Sequence, residues 1–183
     1  MRQSPTCRGF GRIKSNPEGL WDAQIQAAIN KQVGLELYSA YTYLAMSAHL
    51  AEQNFEGFAH WMRLQDQEEL AHAMRFHDYV VERGGHVQLP AIDAPPADFG
   101  SPLDVFESAL AQEKHVTAEI HAIYGMARDK KDYATELHLQ WFVTEQVEEE
   151  NAAGLAVEQL KRAGSDTSVL LMLDHQFGGR AGE

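Results

Sequence analysis

Along four long stretches of this chain apolar residues recur at alternating steps of three and four, and near the middle of each stretch acid or amide breaks the pattern. The first stripe reads Ile29, Val33, Glu36, Ala40, Tyr43, and the second Phe58, Met62, Gln65, Glu69, His72, Phe76. The third reads Leu103, Phe106, Leu110, Glu113, Thr117, Ile120, Tyr124, and the fourth Leu139, Phe142, Gln146, Glu149, Ala153, Ala156, Leu160. Such spacing keeps a set of side chains on one face of an α-helix. Each stripe therefore predicts a helix whose buried face is apolar at both ends and polar at its centre.

Start and stop signals bound these helices. Asn16-Pro17-Glu18 offers a cap, a first-turn proline and an acid at the positive end of the dipole, which predicts a first helix from there to about Gln53. Gly34 inside it costs about 1 kcal/mol without ending it. Asn54 is the expected cap of the second helix, which stops at Gly84-Gly85. Residues 84–101 hold Pro90, Pro95, Pro96 and Gly100 without helical period and are too long for a tight turn, so they predict a crossover. Ser101-Pro102-Leu103-Asp104 restarts a helix that ends near Asp129, a fourth runs from about Asp132 to Gly164, and a short fifth around Thr167–Gln176 carries Val169, Leu170 and Leu173. Two hairpins joined by one long crossover make an all-α fold: an antiparallel four-helix bundle with a short C-terminal helix. Helices of about 30 residues span about 45 Å.

The polar interruptions fall at matched depth in all four helices. Burying a carboxylate without a partner costs several kcal/mol, so a sequence that does this repeatedly must hold something positive inside. Residues three apart share a face, so Glu69-x-x-His72 and Gln146-x-x-Glu149 each aim two ligands at one spot, with Glu36 and Glu113 on the other two sides. Internal ion pairs are the bland alternative. They lack cations, since no Lys or Arg stands between Gln32 and Met62 or between Asp132 and Leu160. Glu36, Glu69, Glu113 and Glu149 together match the charge of two divalent ions, and carboxylates with one imidazole suit iron or manganese better than zinc. The single cysteine, Cys7, excludes an intramolecular disulfide and any cysteine-based metal site.

The chain's 183 residues fit one domain with one core. A net charge of −12 argues against nucleic acid as a partner, and no apolar run approaches the roughly 20 residues of a membrane span. Residues 1–16 carry Arg2, Arg8, Arg12 and Lys14 and no acid, a local +4 that leaves −16 on the remainder. This predicts a flexible basic extension of residues 1–16 before a domain of residues 17–183. The expected location is cytoplasmic, or an organelle if the extension belongs to a transit peptide.

The segments LELYSAYTYL (35–44), QEELAH (67–72), QEKH (112–115) and WFVTEQVEEE (141–150) resemble the four ferroxidase-bearing stretches of prokaryotic haem-free ferritins. Ferritin-like di-iron proteins as a group carry such glutamates and Glu-x-x-His pairs on their bundle helices. The resemblance covers roughly residues 20–178. It implies Glu36, Glu69, His72 and Glu113 around two iron positions, with Gln146 and Glu149 on the fourth helix, and a third iron position from Glu68, Glu145 and Glu148. It also implies oxidation of Fe(II) by O2 or H2O2, storage of ferric oxyhydroxide, and a homo-oligomeric shell of 24 subunits. Where haem-binding bacterioferritins place a methionine after the bridging glutamate, this chain has Leu70, so no haem is expected.

Tyr43 lies two turns beyond Glu36 on the same face and Trp141 five residues before Gln146; both are candidate electron donors, with packing as the alternative role. The histidines at 49, 60, 77, 86, 115, 121, 138 and 175 have no comparable company in the sequence, and most of them read as surface or capping residues. An oxygenase acting on an organic substrate would use the same metal ligands beside a substrate cavity, and a metal-free scaffold is the remaining alternative.

Overall fold

The computed structural model describes residues 21–180. Five helices follow one another: α1 (Ala23–Glu52), α2 (Glu56–Glu82), α3 (Pro102–Asp129), α4 (Tyr133–Ala163) and α5 (Thr167–Phe177). Contacts at both ends fix the helix directions. Ser47 Oγ donates to the Ala59 carbonyl, Lys31 pairs with Glu119, Tyr79 meets Thr135, and Lys161 pairs with Glu107. Each pair joins the start of one helix to the end of its neighbour, so α1 runs antiparallel to α2 and α3, and α4 antiparallel to α2 and α3. The predicted bundle with its crossover and fifth helix is the fold observed.

Two predicted boundaries differ. Helix α1 is capped by Asp22, whose carboxylate accepts from the amides of Gln24 at 2.8 Å and Ile25 at 3.3 Å. Asn16-Pro17-Glu18 and the rest of the basic extension, Cys7 included, lie outside the described residues. Asn54 does not cap α2. It closes α1 with φ at 64°, while the Phe55 amide reaches back to the Leu50 carbonyl at 3.0 Å and Asn54's own amide to Ala51 at 3.0 Å. The same left-handed closure ends α2 at Gly84 and α3 at Lys131. A sequence-based reading favours asparagine as a starter, yet the residue tolerates left-handed backbone equally well.

Gly34 has a purpose that propensity hides. A β-carbon there would lie 2.3 Å from Pro90 Cγ, so the crossover presses directly onto α1. Asn30 holds the crossover beside it, donating to the His86 carbonyl at 3.0 Å and accepting from the Gln88 amide at 2.9 Å. The Arg83 guanidinium ties the end of α2 to the α3–α4 turn through Asp132 at 2.9 Å, with Tyr79 and Thr135 in the same network.

The core is split. One apolar cluster includes Met46, Leu50, Phe58, Met62, Phe106 and Leu160, and the other Ile25, Ile29, Phe76, Ile120, Leu139 and Phe142. Between them lies a belt of buried polar side chains contributed by all four long helices. Helix α5 closes the first cluster by inserting Phe177 against Phe58 and Phe106, and the Asp174 carboxylate accepts from the Phe58 amide at 2.8 Å. The approach is tight enough that a β-carbon on Gly57 would sit 1.7 Å from the Asp174 carbonyl oxygen. No helix among the described residues is long and apolar enough to cross a membrane.

Candidate metal centre

The polar belt collects the side chains that the stripes aim inward. Glu36 from α1, Glu69 from α2 and Glu113 from α3 expose no surface, and His72, Gln146 and Glu149 are buried beside them. Ligand atoms of Glu36, Glu69 and His72 all lie within 4.8 Å of one another, and those of His72, Glu145 and Glu149 form a second such group. His72 belongs to both. Its Nδ1 stands 3.6 Å from a Glu69 oxygen, the geometry that an i, i+3 pair on one helical face delivers.

A shell of neutral donors orients these acids. Gln32 Nε2 donates to Glu36 at 2.8 Å, and Gln65 Nε2 donates to Glu149 at 2.8 Å. The Tyr43 hydroxyl donates to Glu113. Gln146 Nε2 contacts the Glu113 carboxylate at 3.3 Å, its carbonyl at 3.2 Å and Thr117 Oγ1 at 3.2 Å. In this arrangement Gln146 acts on the site through Glu113. Gln32 and Gln65 were legible in outline, since each precedes an inward glutamate by one helical turn.

The carboxyls are strained electrostatically. Burial, reinforced by the charge of Glu69, pushes Glu36 well above the usual carboxylate range, and burial with the charge of Glu113 does the same to Glu69. Burial raises Glu113 and Glu149 to about 7 each. Burial and the Glu113 carboxylate also keep Tyr43 protonated well above the ordinary tyrosine range. One oxygen of Glu36 and both oxygens of Glu69 have no hydrogen-bond partner although fully buried. Orphaned acceptors at the centre of four acids are expensive, and two divalent cations would satisfy all of them. The donor set of carboxylates and one imidazole fits iron.

The stability of the metal-free protein should therefore fall as pH rises. In the folded state Glu113 and Glu149 keep protons up to about 7 that the unfolded chain releases near 4.5, so the native state binds more protons across that window. We expect a loss on the order of a few kcal/mol between pH 5 and pH 8, measured by urea unfolding of chelator-treated protein. Stability that holds level or rises over this range would contradict the burial of ionisable acids. The Glu113→Gln, Glu149→Gln variant should flatten the dependence.

Around this centre, Trp141 packs edge-on to the His72 ring at 5.4 Å, with the Arg75 guanidinium 3.8 Å over its face. His138, read from sequence as a surface or capping residue, instead stacks on Tyr79 at 3.9 Å, and burial lowers its pKa to about 4. A partly polar helical position gave no sign of this, because the stacking partner lies on another helix. Glu68, Glu145 and Glu148 line a cavity of about 430 Å³ next to Glu149. Glu68 there is paired with Arg180 at 3.2 Å, and Glu148 is exposed.

This geometry has relatives. The family model of the ferritin-like domain matches residues 26–163. The chain belongs to the ferritin family. A bacterial non-haem ferritin of Bacteroides fragilis is 42% identical over 157 residues, covering 86% of this chain and 98% of that protein. One from Staphylococcus aureus is 37% identical over 84% of this chain and 92% of its own length. Among solved structures, the open-pore ferritin of the hyperthermophilic archaeon Archaeoglobus fulgidus superposes with a TM-score of 0.86 at 45% identity, covering 87% of this chain and 99% of that one. A humanized archaeal ferritin gives 0.87 at 43% identity. With TM-scores of 0.86 and 0.87, this ferritin shares its fold with the two solved structures.

Proposed function

We propose that this ferritin stores iron, taking Fe(II) as substrate, oxidising it within the bundle and depositing ferric oxyhydroxide inside a hollow shell of 24 copies in the cytoplasm. The observation that carries this reading is Glu69, whose two unpartnered buried oxygens lie in one close group with Glu36 and His72 and feel the charges of Glu113 and Glu149. Glu69 would bridge two ferrous ions; Glu36 and His72 would hold one, and Glu113 and Glu149 the other, with Gln146 and Gln65 steadying the acids. Each ion loses one electron, and O2 takes up two electrons and two protons to give H2O2, or H2O2 gives two waters. Carboxylates bind the ferric product more strongly than the ferrous substrate, so the charge of the site favours oxidation.

Tyr43 suits a third electron, which with one from a third iron and two from the pair would complete the four-electron, four-proton reduction of O2 to two waters. Its hydroxyl donates to Glu113, so the phenol loses its proton to an adjacent acceptor as it is oxidised. Trp141 against His72 is the second aromatic within reach. Shell assembly finds support in the outer surface of α1 and α2, where Tyr41, Leu44, Leu70 and Met74 are exposed.

Loading tests the reading. Metal-free protein given Fe(II) in air should remain soluble, elute at the size of a multi-subunit shell, and retain hundreds of irons or more per particle. Precipitation of the added iron, or a monomer that retains only two or three ions, would overturn it.

Glu68, Glu145 and Glu148 are proposed to hold a third iron that feeds an electron to the pair. Glu145→Ala with Glu148→Ala should keep the fast two-iron phase, shift the Fe/O2 ratio and slow later turnovers. Oxygen-electrode stoichiometry identical to wild type would reduce these acids to surface charge.

A further inference from the structure

The third acidic position already contains a cation that belongs to the protein. Arg180 follows α5, and its guanidinium reaches into the cavity lined by Glu68, Glu145, Glu148 and Glu149. Nη2 donates to both Glu68 oxygens, at 3.2 and 3.3 Å, and Nη1 donates to Gln65 Oε1. The same guanidinium lies 5.1 Å over the Trp61 ring, and the Arg180 carbonyl meets His60 Nε2 at 3.1 Å. Four chemically different partners, Glu68, Gln65, Trp61 and His60, distinguish Arg180 from a surface arginine that lands beside an acid. Gln65 is also the residue that donates to Glu149, so the guanidinium and the metal centre share one amide between them.

We propose that Arg180 is a built-in competitor for the third iron: its guanidinium occupies Glu68 until a ferrous ion displaces it. The competition follows from charge. Glu68 satisfied by a planar, permanently charged fork offers little to a metal ion, and the pair is only 27% and 16% exposed, so solvent screens it weakly. A third ion must break the Arg180 contacts before it gains Glu68. The pair of positions around Glu69 has no such competitor among the described residues, where no Lys or Arg is hydrogen-bonded to Glu36, Glu69, Glu113 or Glu149. The device therefore separates two classes of site that one acidic belt would otherwise fill together, and the segment after α5 supplies the cation that enforces the order.

The inference rests on the iron-binding reading above, and anaerobic calorimetry of Fe(II) binding to the assembled, iron-free protein separates the two. Wild type should take up two ions per subunit tightly and a third weakly. Arg180→Ala should leave the first two steps unchanged and tighten the third by about tenfold, the worth of one charge-assisted hydrogen-bonded pair. Arg180→Gln keeps a hydrogen-bonding amide but no charge and should behave like the alanine variant, whereas Arg180→Lys, which keeps the charge without the planar donors, should fall between these and wild type. A purely structural role for Arg180 predicts the reverse, with Arg180→Gln resembling wild type. A third step equal in wild type, Arg180→Ala and Arg180→Gln, weaker in the two uncharged variants, or missing from every protein would overturn the proposal. Failure of wild type to bind even the first two ions would overturn the iron-binding reading itself.

Discussion

Glu69→Ala should abolish rapid Fe(II) oxidation, lowering the initial stopped-flow rate by on the order of 100-fold or more, the scale lost when a preorganised charge is removed from a reacting centre. Glu69 is the residue through which both ions would be held, and both of its oxygens are buried without partners. Alanine removes the proposed bridging carboxyl while leaving both apolar clusters untouched, since Glu69 belongs to neither. The shell should therefore assemble normally, and subunit stability should be equal or higher. His72→Ala should lose the fast phase as well, with a smaller gain in stability, because it removes no buried carboxylate from the site. Wild-type initial rates in Glu69→Ala would remove the assignment of the centre.

Saturating Zn(II) should raise the thermal midpoint of the metal-free protein by about 5–10 °C. Metal binds the folded site and has little hold on the unfolded chain, so at about 100 times its dissociation constant one bound ion adds about 2.7 kcal/mol. In a domain of this size each kcal/mol is worth about 2–4 °C. Zinc is redox-inert and isolates binding from oxidation. Glu36→Gln with Glu69→Gln should have two effects: a higher midpoint without metal, because neutral amides replace two buried acids that must take up protons or carry charge on folding, and little further rise with it. Calorimetric melts in which Zn(II) leaves the wild-type midpoint unmoved would show that the buried acids are satisfied in some other way.

The residues of the centre were legible because helical periodicity is local. Glu36, Glu69, His72, Glu113, Gln146 and Glu149 each interrupt an apolar stripe, and once the stripes are known to face one another the six must meet. The side of the bundle away from the stripes was harder. His138 carries no pattern of its own; it stacks on Tyr79 of α2, and burial among its neighbours lowers its pKa. Asn54 shows the limit of local signals in a different way, since the same residue type favours both helix starts and left-handed closures, and the Phe55–Leu50 hydrogen bond selects the second.

By itself the sequence determined the helices, the crossover and the acid belt, because each follows from spacing within a single segment. Only the tertiary structure decided what surrounds the belt. Gly34 became a contact point once Pro90 lay across it, and Gly57 once α5 docked on α2. Arg180 could not be paired with Glu68 from spacing, for 111 residues separate them and their meeting depends on where α5 ends. Long-range charge pairing is a property of how helices are placed, and that placement is fixed by the two apolar clusters rather than by any motif in which the charged residues stand.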